Sequence, residues 1–166
     1  MAEEADPREA IAALLPRLRR FARSLAGDQA DADDLVQVAI ERALRNIDRY
    51  ARGTRLDSWM FRVLKNAWID EARARGRRAK VLAPAEAGES VGDDAAGAME
   101  AKLELRAVET AMQALPEEQR LAIGLVCVEG LSYREAAEAL DIPVGTLTSR
   151  LARGREALAA LLGGAS

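Results

Sequence analysis

The side chains best placed to do chemistry lie near the C-terminus, where hydroxyls and a guanidinium recur at helical spacing. From Ser132 to Leu162 the sequence reads as two helices joined by a very short turn. Ser132 followed by Glu135 is a capping box, in which the hydroxyl satisfies one orphan N–H and the carboxylate another. A short helix then carries Ala136, Ala137 and Leu140 and breaks at Asp141-Ile142-Pro143. Asp tolerates a left-handed turn position, and Pro suits the start of the next helix. In that helix Leu147, Leu151 and Leu158 form one apolar stripe, leaving Thr146, Ser149, Ala152, Arg153 and Glu156 on the other side. A tight turn followed by a helix with a polar, basic outer face is the helix-turn-helix pattern of DNA readers. On spacing alone, an ordinary antiparallel helix pair fits equally well.

Other chemistries lack their parts. The chain has no histidine and a single cysteine, Cys127, so Cys/His zinc sites, histidine triads and internal disulfides are excluded. Cys127 lies in the apolar run IGLVCVEG and reads as a buried small hydrophobe rather than a reactive thiol. There is no Gly-rich phosphate loop, no paired-carboxylate constellation and no cofactor motif, so no enzyme is expected. The N-terminus MAEEADPREA is too acidic and polar for a signal peptide, and no apolar run would insert in a membrane.

The 166 residues suffice for one compact domain or two small ones, and 49 % hydrophobic with 4 % aromatic residues favours helices throughout. The net charge of −3 is unevenly spread: Arg73, Arg75, Arg77, Arg78 and Lys80 form a purely basic run. Val81 to Leu105 then carries Glu86, Glu89, Asp93, Asp94, Glu100 and Glu104 against Lys102 alone. Segregated charge of this kind suits a surface that meets phosphates.

The elements that must position these groups follow from periodicity. A first helix spans about Pro7 to Ala26, with Pro16 expected to kink or split it. The next, about Ala32 to Ile47 with Asp31 as its cap, buries Val36, Ile40, Ala43 and Ile47 and shows Asp34, Gln37, Glu41 and Arg45 outside. Thr54 and Asp57 offer a cap for a third helix, in which Trp59 reads as a core anchor. Trp68 falls off the main apolar stripe, which leaves packing and base stacking both open for it. Residues 81–98 read as a flexible acidic linker. Helicity resumes near Met99, with Leu103, Leu105, Val108, Ala111, Met112 and Leu115 as expected core, and Pro116 opens another helix that ends at Gly130.

Three blocks, in chain order, resemble successive regions of the extracytoplasmic-function sigma factors of bacteria, within the sigma-70 family. DADDLVQVAIERAL is similar to the family's second conserved region, TRLDSWMFRVLKNAWIDEARARGRR to its −10 block, and LPEEQRLAIGLVCVEGLSYREAAEALDIPVGTLTSRLARGREAL to its −35 block. The resemblance implies an all-α fold: a region 2 helical bundle (1–80) and a region 4 helix-turn-helix domain (99–166), joined by the 81–98 linker. It implies docking of Asp34, Gln37, Val38, Glu41 and Arg45 on the clamp coiled coil of core RNA polymerase. Val38 stands where the family commonly has an acid, which makes that contact drier. It implies −10 promoter contacts by Arg52, Thr54, Arg55, Ser58, Lys65, Asn66, Arg73 and Arg77, the 52–58 loop accepting a flipped base. It implies −35 contacts by Thr146, Thr148, Ser149, Arg150, Ala152, Arg153 and Arg155, with Arg153 on a guanine edge and Arg150 and Arg155 on phosphates. Asp70 is expected to fix an arginine.

The implied protein is a cytoplasmic promoter-specificity subunit without cofactors, monomeric when free, nucleoid-associated when active, and held by a cognate anti-sigma factor. Two other readings remain: a sigma-like decoy that titrates an anti-sigma factor, and a plain helix-turn-helix regulator. The basic run and Arg153 speak against the decoy. The plain regulator leaves the middle block without a role.

Overall fold

The computed structural model describes residues 6–51, 53–79 and 96–163, and among them every regular element is helical. The N-terminal half comprises α1 (Pro7–Ala13), α2 (Leu15–Ala26), α3 (Gln29–Arg45) and α4 (Leu56–Ala79). The C-terminal half comprises α5 (Ala96–Ala114), α6 (Glu117–Ile123), α7 (Tyr133–Leu140) and α8 (Val144–Gly163). A π-helical segment, Gly124–Val128, extends α6.

Local chemistry sets most boundaries. Pro16 cannot donate to the helix ladder, and the first helix splits at Leu14, so Pro16 falls in the first turn of α2. Gly27 ends α2 at φ 74°, where its N–H reaches the Arg23 carbonyl. The cap of α3 is Asp28, whose carboxylate accepts from the Asp31 N–H; the helix therefore starts three residues before the expected Ala32. Thr54 does not cap α4, because its hydroxyl donates to the Ala51 carbonyl at 2.6 Å. The Ser132–Glu135 capping box is formed in both directions, and Asp141 takes the left-handed turn position at φ 54°.

The two helical halves pack around one continuous core. Phe21 of α2 and Phe61 of α4 are fully buried, edge to face at 5.4 Å. The core continues through Ala22 and Leu25 into Met112, Leu115, Leu121, Ile123 and Leu125 of the C-terminal half. Gly124 lets that half approach: a Cβ there would stand 2.8 Å from the Phe21 ring. Trp68 belongs to this core and Trp59 is half-buried against Tyr50, so the tryptophan off the apolar stripe is the deeper one.

Other expectations need correction. Helix α5 begins at Ala96, and only Ala111, Met112 and Leu115 of its expected core are buried; Leu103, Leu105 and Val108 lie exposed. Cys127 is exposed, because the π-helical segment turns its side of the chain outward. Residues 81–95 of the expected linker lie outside the described residues.

Arg120 anchors the C-terminal half. Its guanidinium donates to the carbonyls of Met112, Gln113 and Leu115 at the end of α5 and, across the seam, to Leu25 at the end of α2. Burial pushes its pKa below the ordinary arginine value, with Glu117 countering. Two substitutions test this packing by urea unfolding. Arg120→Ala should lower stability by about 3 kcal/mol, because it strands buried carbonyls. Gly124→Ala should cost about 1–3 kcal/mol by overpacking Phe21.

Candidate nucleic-acid interface

Helix α3 turns Ala32, Leu35, Val36, Ala39 and Ala43 inward and leaves Asp34, Gln37, Val38, Glu41 and Arg45 exposed on one face. Among the described residues no hydrogen bond or ion pair engages the side chains of Asp34, Gln37, Glu41 or Arg45, so the face is open to solvent. Its Val38 is 38 % exposed, a dry spot among charges.

The residues expected at the −10 element are distributed less simply. Thr54, Arg55, Asn66 and Arg73 are exposed and Ser58 is half-buried. Arg52 and the side chain of Arg77 lie outside the described residues. Asp70 meets Arg42 at 2.8 Å, as expected of a carboxylate that fixes an arginine. Lys65 departs from expectation: it is 5 % exposed, its stem is covered where α6, α7 and α8 approach, its ammonium lines a cleft, and among the described residues it forms neither a hydrogen bond nor an ion pair. Desolvation lowers its pKa; Asp141 works to raise it and Arg62 to lower it further. The stacking role weighed for Trp68 is closed in this conformation, since its indole is packed in the core. Beside Lys65, a cleft of about 360 Å³ is lined by Arg73 of α4, Glu117 and Glu118 of α6, and Arg150 of α8.

Charged contacts line the seam between the halves. The Glu129 carboxylate, wholly buried, is gripped through a bidentate fork by Arg20 at 2.9 and 3.0 Å, with Arg17 at 3.5 Å. Arg17 also reaches Asp57 at 3.1 Å and lies over the Phe61 ring. Burial alone would raise the Asp57 carboxyl, but hydrogen bonds from Arg55, Arg17 and the Ser58 N–H outweigh it and hold the group below the usual carboxylate range. Arg55 pairs with Glu135, and Arg62 meets the Glu138 carbonyl and, at 3.1 Å, Asp141. Arg17 and Arg20 stand on the polar side of α2, a face that periodicity alone reads as solvated, and Arg62 stands on the polar side of α4. The available signal was Glu129, a lone carboxylate closing an apolar run.

On α8, Ser149, Ala152, Arg153 and Arg155 are exposed together, while Leu147 and Leu151 are buried. Arg153 has no partner among the described residues. Thr146 and Arg150 are half-buried; the Thr148 hydroxyl turns back to the Val144 carbonyl at 2.9 Å, Arg150 rests 3.7 Å from Glu118, and Arg155 approaches the Cys127 sulfur at 3.6 Å.

The Sigma-70 region 2 family matches residues 10–78, and the Sigma-70, region 4 family matches residues 105–158. The ECF RNA polymerase sigma factor EcfG of Rhodopseudomonas palustris is 39 % identical over 93 % of this chain and 84 % of its own. The sigma factor RpoE of Bartonella quintana, solved with the anti-sigma factor NepR, superposes with a TM-score of 0.81 at 31 % identity, covering 94 % of this chain and 96 % of that one. CnrH, solved with the cytosolic domain of CnrY, gives 0.72 at 26 % identity over 96 % and 89 %.

The Lys65 ammonium opens on the cleft, yet it is partly desolvated and has no carboxylate against it, and such desolvation lowers stability wherever the group is charged. Because its folded pKa is lowered, that cost is full at neutral pH and fades as pH rises through the folded pKa towards the ordinary lysine value. Lys65→Met should therefore stabilise the chain by about 0.5–2 kcal/mol at pH 7 in thermal unfolding, with a smaller gain at pH 10.

Proposed function

The chain belongs to the extracytoplasmic-function sigma factors of the sigma-70 family and, as an alternative sigma factor, directs transcription; from that premise we propose that three of its surfaces divide the work. The free stripe of α3, Asp34, Gln37, Val38, Glu41 and Arg45, docks on the clamp coiled coil of core polymerase. Arg52, Thr54, Arg55 and Ser58, ahead of and within the first turn of α4, hold the −10 strand with Lys65, Asn66, Arg73 and Arg77. The exposed face of α8 enters the major groove at the −35 element.

The mechanism is capture rather than catalysis. Extracting a base from the stack costs a few kcal/mol, which a receiving loop and flanking cations must offset. Arg153 offers a two-pronged donor for guanine O6 and N7. From Asp141 onward the chain has Arg150, Arg153 and Arg155 against Asp141 and Glu156, too weak a positive field to hold DNA unaided, so polymerase supplies most of the affinity.

The observation that carries this reading is the α3 stripe: five positions at helical spacing, all exposed, on the outer face of a helix whose inner face is core. The same stripe and α8 are the surfaces a cognate anti-sigma factor would cover, a partner supported by RpoE and CnrH, each solved with another protein bound. The protein works as a cytoplasmic monomer until bound.

Purified chain with bacterial core polymerase should give start-site-specific transcripts from promoter fragments of its genome. Arg153→Ala should lower the transcript about 5- to 100-fold, the scale of one lost bidentate base contact, and Asp34→Lys with Glu41→Lys should weaken core binding without moving the melting temperature. Failure of the wild-type chain to bind core at all would sink the proposal.

A further inference from the structure

We infer that α7 is a built-in competitor for the −10 strand: its acidic edge occupies the cations of α4 that promoter phosphates would otherwise meet. This deepens the proposed function and rests on it for the identity of the DNA face. Three cations, Arg55 just ahead of α4 and Arg62 and Lys65 within its first half, face the C-terminal half, Arg55 being paired with Asp57 as well. Arg55 pairs with Glu135 near the α7 N-terminus. One turn or more along, Arg62 meets Asp141 and the Glu138 carbonyl at the α7 C-terminus. Lys65, next in line, is buried beneath the same end, with Asp141 the nearest negative influence on it.

The geometry is that of a strand substitute. Two carboxylates, Glu135 and Asp141, bracket a helix whose last carbonyls carry the negative end of its dipole. Together they set negative groups along α4 much as successive phosphates would. Carboxylates and phosphates seek the same guanidinium forks, so one set of cations cannot serve both at once. Closure therefore lowers apparent DNA affinity by the fraction of molecules that are open.

The seam also suits release. Arg55 and Arg62 keep 59 % and 41 % of their side-chain surface, and Asp141 keeps 65 %, so these pairs are partly wet and exchange readily with other anions. The buried Glu129 clamp and the Leu25 carbonyl bonds hold the halves together behind them.

The test uses the full chain without polymerase and a fluorescent 12-nucleotide single strand of mixed sequence, read by anisotropy at low salt. Glu135→Gln with Asp141→Asn removes the competing charges while keeping a capping-box residue and one that tolerates the left-handed turn. Glu100→Gln with Glu104→Gln makes the same charge change on the exposed part of α5. The first double variant should bind about tenfold more tightly than wild type, the control should stay within about twofold, and adding Lys65→Met to the first should erase most of its gain. Equal gains in both doubles, or none in the first, overturn the inference. Transcription by the wild-type chain with polymerase reports separately: its presence beside a flat anisotropy result rejects the competitor and leaves the sigma reading intact. Its absence beside a tenfold gain does the reverse.

Discussion

A guanidinium without a carboxylate partner sits where the two halves of this molecule meet. Arg120 is buried, and an uncompensated charge in that position would cost several kcal/mol. The cost is met by helix ends: the last turn of α5 offers the Met112, Gln113 and Leu115 carbonyls, and α2 ends with the Leu25 carbonyl. Carbonyls of a terminal helical turn have no intrahelical donors and carry the negative end of the dipole. Arg120 thus cures two deficits at once and fixes where α5 stops relative to α6. Gln113 adds a parallel tie, donating to the Leu25 carbonyl at 3.0 Å while accepting from Arg120. Most of these bonds lie within the C-terminal half and would survive its departure; the Leu25 bonds would not.

The seam as a whole follows that division. Its apolar part is narrow, centred on Phe21 against Gly124, and its rim is built from charge: Glu129 under Arg17 and Arg20, Glu109 on Arg23, Glu135 on Arg55, Asp141 on Arg62. Contacts between domains of one chain resemble transient interfaces in being more polar than a core. A seam of this make-up has two assembled solutions, one with its own acids and one with foreign anions. A fully apolar seam would have only the first.

Much of the fold was legible from sequence because it is set locally. Pro16 removes a donor wherever it stands, so the split of the first helix needed no tertiary knowledge. Ser132 with Glu135, and Asp141 before Pro143, announce a cap and a turn by their own chemistry. The α3 stripe is periodicity alone. What escaped was set by the other half of the chain. Lys65 has the composition of a solvated position and is buried only because α6, α7 and α8 close over it. Leu105 and Val108 continue the core-facing stripe of α5 but lie exposed. Cys127 sits in an apolar run yet faces out, since a π-helical turn rotates the side chains relative to an α register. Arg17 and Arg20 sat on a face read as wet, and only the fold shows Glu129 beneath them.

Lys65 marks where stability and function part. A core would exclude an unpartnered ammonium, and a methionine would fill the same volume without the desolvation cost. Under the proposed function the lysine meets a phosphate in a second arrangement, in which α4 is uncovered. Arg62 sits on Asp141 only in the closed form, while Arg55 keeps Asp57 whether or not Glu135 reaches it. Under the proposed competition the row exchanges its partners across the seam. Its closed form is held by clamps elsewhere, at Glu129 and Leu25, and the row itself favours whichever partner brings the larger negative charge. Promoter DNA, with a charge at every phosphate, outbids two carboxylates and a helix end, provided something else holds it in place. Under the proposed function that service falls to polymerase through α3, whose free face is on the side of the bundle that closure leaves uncovered.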